Sequence, residues 1–173
     1  MKRFFVLKAA ILLLLGAVTT TGLFAQETKA QQKADKAAKV KSLIDSHNYV
    51  FVAQTALPMS GRMRNLTSEY NLTVAADSVV SYLPYFGRAY TSVDYGATRS
   101  PLDFKTKSFD YNATPGKKDG WNITIKPKDN RGVQSFNLSV SSEGYASLQV
   151  TSSDRSPISF NGYVTEVKAK KKK

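Results

Sequence analysis

Trp121-Asn122-Ile123-Thr124-Ile125-Lys126 and Phe136-Asn137-Leu138-Ser139-Val140 decide the fold. In both stretches apolar and polar side chains alternate. Successive side chains of a strand point to opposite faces, so each stretch predicts a β-strand buried on one side. Asp129-Asn130-Arg131-Gly132 between them is turn chemistry, which makes the two antiparallel neighbours.

The same reading extends in both directions. Downstream, Leu148 and Val150 mark one strand, and Ile158, Phe160, Gly162 and Val164 another. Tyr163 and Val167 argue for the other face, so Gly162 is expected to mark a bulge where the facing set switches. Upstream, Tyr70, Leu72 and Val74 alternate with Asn71 and Thr73. Val79 to Leu83 returns as the partner, and Pro84 stops it because proline cannot donate to a ladder. Tyr49 to Ala56 and Phe104 to Asn112 each read as one further strand, and Met59 to Asn65 as a turn or irregular crossing. Residues 27–47 contain no Gly or Pro and are rich in Ala and Lys, so they predict a helix that buries Val40, Leu43 and Ile44. The expected fold class is α+β: an N-terminal helix, then a curved antiparallel β meander of about eight strands, with a sandwich or open barrel as the ways to bury its inner face.

Lys2 and Arg3 precede a nearly all-apolar run from Phe4 to Val18, interrupted by Lys8 and Gly16, and Leu23-Phe24-Ala25 offers a cleavage site before Gln26. This is the pattern of a secretory signal peptide. The expected organisation is a signal peptide over 1–25, a single helix-plus-β domain over 26–167 and a basic disordered tail over 168–173. The expected location is the periplasm or the cell exterior, with no transmembrane span after cleavage. The chain has no cysteine, which excludes thiolate nucleophiles, cysteine metal sites and lipid attachment at a cleavage-site cysteine. The net charge of +12 is carried mostly by the two ends, since residues 49–167 hold twelve Lys or Arg against ten acids. A nucleic-acid reader would spread basic residues across the folded face, so nucleic acid is not an expected partner.

Catalytic constellations are sparse. His47 is the single histidine and lies near the helix end, beside Asp45 and Ser46 but without a nucleophile elbow. Asp94, Asp103 and Asp110 are the carboxylates nearest the aromatic loop, where a pair could serve glycoside hydrolysis. Asp119-Gly120 and Asp129-Asn130 read as turns, and no cofactor or metal is expected. The sharper candidate is a ligand-binding face of Tyr82, Tyr85, Phe86, Arg88, Tyr90 and Tyr95. Tyrosine joins a flat apolar ring to a hydroxyl, and arginine adds a planar donor fork, which suits a glycan, a peptide or a protein partner.

The stretch from Ser68-Glu69-Tyr70-Asn71-Leu72-Thr73-Val74 to Asp77, followed by Val80 to Tyr90, resembles a family of exported Bacteroidetes proteins known as domain of unknown function 4251. Tyr82-Leu83-Pro84-Tyr85-Phe86-Gly87-Arg88-Ala89-Tyr90 is its most specific part, and the likeness runs from about residue 35 to residue 167. The resemblance implies an envelope location and no established activity, so it carries over no catalytic residue. Some similar proteins look like lipoproteins; this chain lacks the cysteine. The expectation is a non-catalytic binder of a ligand or partner in the envelope, the partner being an envelope protein, a peptide or a glycan. A small envelope hydrolase acting on glycans or peptides, and a purely structural envelope protein, are the alternatives.

Overall fold

The computed structural model describes residues 21–90 and 99–167, with side chains described from residue 29 onward. The signal-peptide residues 1–20, Asp94, Tyr95 and the lysine tail 168–173 lie outside the described residues. The chain divides into two compact units at Lys36/Ala37. Helix α1, Thr21–Asp45, runs through the proposed cleavage junction, and its part up to Lys36 belongs to the first unit. In the second unit Val40 and Ile44 are buried and Leu43 packs beside them, as the helical spacing predicts. None of the described helical residues forms a segment long and apolar enough to cross a membrane.

The helix ends on paired bonds from His47 N–H to the Ile44 carbonyl (3.1 Å) and from Asn48 N–H to the Leu43 carbonyl (3.4 Å). This is the two-bond helix stop that usually places glycine in the left-handed position. Here His47 takes it, with φ of 50°, and its ring lies 4.2 Å from that of Tyr111. Ring contact with Tyr111 favours histidine at a position where glycine carries less backbone strain.

Ten strands follow among the described residues: β1 (Tyr49–Pro58), β2 (Arg64–Asn65), β3 (Asn71–Ala75), β4 (Ser78–Tyr82), β5 (Asp103–Thr106), β6 (Phe109–Pro115), β7 (Trp121–Pro127), β8 (Val133–Val140), β9 (Tyr145–Ser152) and β10 (Ile158–Thr165). They form one antiparallel sheet of order β5-β4-β3-β1-β10-β9-β8-β7-β6, with β2 beside the upper part of β1. The architecture is thus two meanders zipped together by β1 and β10, rather than one continuous meander.

The expectation of a single strand from Phe104 to Asn112 needs correction. β5 and β6 are the two edges of the nine-strand path, yet only Lys107 and Ser108 separate them. Eight antiparallel steps bring the path back to its starting direction, so β5 and β6 run the same way. They are halves of one bent strand, the first paired to β4 and the second to β7. Counted so, a strand bound to both edges wraps the sheet into a nearly closed barrel.

The inner side chains fill that barrel. Phe51, Phe136, Phe160, Ile123, Leu138 and Leu148 are all fully buried in one cluster, and the Phe104 and Phe136 rings stack at 6.0 Å. A barrel of about eight strands is just wide enough for side chains to fill it. Gly162 is not a switch point: Ile158, Phe160, Gly162 and Val164 all face inward. The bulge lies opposite, in β1 between Ala53 and Thr55. There the Val52 carbonyl oxygen approaches Gly162 so closely that no Cβ would fit.

The outer face carries two registered rows across β7–β10. Asn122, Ser139, Ser147 and Asn161 stand opposite one another in the first, and Thr124, Asn137, Gln149 and Ser159 in the second. Every one is an uncharged amide or hydroxyl.

Candidate functional site

The segment after β4 is held down by its own backbone. Pro84 ends the strand, and the chain then crosses to the β9–β10 turn. Ser156 N–H donates to the Arg88 carbonyl (2.9 Å), Tyr90 N–H to the Asp154 carbonyl (2.8 Å), and Ala89 bridges Arg155. Residues 84–90 therefore form a strap over one end of the barrel, on the side of β1 where Pro58 leaves the sheet.

The six proposed binding residues divide within this strap. Tyr85 is half-buried, with its hydroxyl 2.9 Å from both the Arg88 and the Ser156 carbonyls, which share its one O–H proton. Burial raises its pKa, against the opposing influence of Ser156 and Arg155. The Arg155 guanidinium lies 5.4 Å from the Tyr85 ring centroid and holds Asp154 through two bonds of 2.9 and 2.7 Å. Those bonds lower the Asp154 pKa. Phe86 is half-buried under the Arg64 guanidinium at 4.7 Å. Tyr82 is exposed, with its ring tilted against that of Tyr70 at 5.3 Å. Tyr90 is exposed. The Arg88 side chain is exposed and has no partner among the described residues. The structure thus brings Tyr82, Tyr85, Phe86, Arg88 and Tyr90 to one end, Tyr85 and Phe86 as supports and the other three at the surface.

The Arg64–Phe86 contact also brings in a segment that sequence reasoning passed over. The β1–β2 connection presents Met59 and Met63 at 74% and 62% exposure, flanked by the exposed Arg62 and Arg64. Two methionines and two arginines with no acid between Met59 and Leu66 were the signal available. This rim combines exposed apolar surface with positive charge, a composition found at partner contacts.

The other chemical candidates are dispersed. His47 touches Tyr111. Asp110 pairs with Lys128 at 2.6 Å. Asp103 begins β5 at the edge of the sheet. The described residues hold no cluster of three or more His, Cys, Asp or Glu groups suited to a metal.

A nearly closed, side-chain-filled antiparallel barrel, with Val40 and Ile44 from the last turns of α1 in its core cluster, defines the structural class. The family model for the domain of unknown function DUF4251 matches residues 31–164, and the chain belongs to that family. Its structure is similar to the crystal structure of a DUF4251 family protein from Bacteroides eggerthii DSM 20697. The two share 12% sequence identity at a TM-score of 0.56, over 77% of this chain and 89% of the other, a likeness of fold. No curated protein matches the sequence.

Proposed function

We propose that the chain is an exported, non-catalytic binding protein of the cell envelope that contacts its partner with the strap end of the barrel. One observation carries this reading: Met59, Met63, Tyr82 and Tyr90 are exposed at that end together with Arg62, Arg64 and Arg88. A partner surface with apolar pockets and acidic groups fits it, each ring or thioether filling a pocket and each guanidinium meeting a carboxylate. The filled interior supports surface contact over storage of a small molecule inside. The N-terminal apolar run supports export, with Gln26 as the first residue after cleavage.

Two measurements test it. N-terminal sequencing of the protein recovered from the periplasm or medium is expected to begin at Gln26. Retention of the protein in the cytoplasm with Met1 intact contradicts export. A peptide and glycan binding screen with the wild type, Arg88→Ala and Met63→Ala is expected to yield an acidic peptide ligand that both variants weaken. Binding unaffected by either change contradicts the rim assignment.

A further inference from the structure

The outer face of β7–β10 carries a different chemistry from the rim. A groove of about 720 Å³ is lined by polar and apolar groups together, among them Asn122, Ser139, Ser147, Tyr145, Trp121 and Val140, with Lys117 its one charged residue. A second depression of about 350 Å³ shares Asn122, Ser139 and Ser147 with it and has no charged lining at all. Solvent-facing strand positions in a chain with 22% charged residues ordinarily include Lys or Glu. Here the two rows contain neither.

The rows also present polar groups to solvent that have no protein partner among the described residues. Thr124 donates to Asn137 (3.2 Å), and Ser139 to Asn122 (3.2 Å). The Ser147 hydroxyl and the Gln149 and Asn161 amides have no partner among the described residues. Each of these groups both donates and accepts. At the end of the rows Tyr145 stands opposite Tyr163, with Tyr145 69% exposed.

We propose that this face binds a neutral glycan chain laid across the four strands. Sugar hydroxyls, like amides and serine hydroxyls, donate and accept at once, so each can be satisfied by a row residue. The apolar C–H face of a sugar ring matches the exposed Tyr145 ring. Strands stand about 4.8 Å apart, so a four-strand row spans about 14 Å, the reach of a short oligosaccharide. The two rows offer no cation of their own, and Lys117 is the groove's one positive group, so the hydration an acidic glycan or a phosphate would lose is offset by a single charge. The backbone of β7–β10 is already paired on both sides, so an extended peptide has no strand edge to join here. The proposal stands on residues separate from the rim.

The test is a microarray of neutral and uronate-containing glycans, followed by calorimetry with the best neutral oligosaccharide. Asn122→Ala combined with Gln149→Ala, and Tyr145→Ala alone, are expected to weaken binding at least tenfold. Arg88→Ala is expected to leave it unchanged, and added sodium chloride to have little effect. Because all three positions are exposed, circular dichroism of each variant is expected to match the wild type; Ser147→Lys gives a second, additive disruption of the same face. Absence of binding to any neutral glycan, preference for uronates, or loss with Arg88→Ala in place of the face variants overturns the proposal.

Discussion

Thr106 and Ser108 bind each other twice: Ser108 N–H donates to Thr106 Oγ1 at 3.1 Å, and that hydroxyl donates to the Ser108 carbonyl at 3.0 Å. Thr106 is almost wholly buried. The pair bends the strand at the point where it leaves β4 and joins β7, with Lys128 N–H holding the Ser108 carbonyl from the far edge (2.8 Å). One hydroxyl therefore braces the corner between the two ladders that close the barrel.

Thr106→Val keeps the branched shape and removes both bonds. It is expected to cost about 1–2 kcal/mol, read as a lower urea midpoint. An unchanged midpoint means the corner holds without the hydroxyl.

Gly162→Ala drives a methyl group into the Val52 carbonyl oxygen, a backbone atom that β1 holds in place through its pairing with β10. Overpacking of this kind costs about 1–3 kcal/mol and occasionally more. The expected result lies at the upper end, with much of the protein insoluble on expression. A soluble variant with wild-type stability contradicts the tight β1–β10 contact.

Tyr49 and Tyr111 predict an alkaline transition. The two hydroxyls lie 3.3 Å apart, and burial raises both pKa values, most for Tyr49. Above pH ~10 the unfolded chain loses the Tyr49 proton while the folded chain keeps it, and the more exposed Tyr111 shifts in the same direction. The unfolded state then binds fewer protons, so stability falls as pH rises, by about 1.4 kcal/mol per pH unit for each retained proton. Below the unfolded pKa that contribution is constant. Tyr49→Phe is expected to cost about 1 kcal/mol at pH 7 through the lost hydrogen bond and to flatten the decline above pH 10. Urea titrations from pH 7 to 11 read both; an equally steep decline in the variant contradicts the assignment.

Tyr85→Phe removes the hydroxyl that ties the strap to the Arg88 and Ser156 carbonyls. A cost of about 1 kcal/mol is expected, with faster amide hydrogen exchange at Tyr90 and Ser156 and none in β7–β9. Uniform acceleration across the barrel would mean that the strap is part of the global core.

Much of this fold was legible, for a physical reason. One-sided burial forces alternation, and Leu72-Thr73-Val74 or Phe136-Asn137-Leu138 can satisfy it only as strands with a wet face. Alternation says nothing about which neighbour a strand takes. Phe104 to Asn112 reads as one strand, and the chain direction does persist, but its halves pair with β4 and β7. The β1 bulge at Gln54 has no glycine to announce it, and the one glycine near it in space, Gly162, lies across the ladder on β10. At the candidate site, Tyr82 at the end of its strand and Arg88 and Tyr90 in the loop after it were legible as unusual residues. Arg64, Asp154, Arg155 and Ser156 were not, because their roles arise from contacts between segments distant in sequence. The Asn and Ser rows were visible only as the polar half of each strand; their alignment across strands needs the register.

The central claim is that this barrel is packed with its own side chains and works from its outside. Titration with a fluorescent long-chain fatty acid tests it most directly, with the emission of Trp121, the sole tryptophan, as a second signal. A filled barrel shows no saturable one-to-one uptake and no change at Trp121. Saturable uptake that is weakened by Ala146→Leu, a substitution on the inner face, would contradict it.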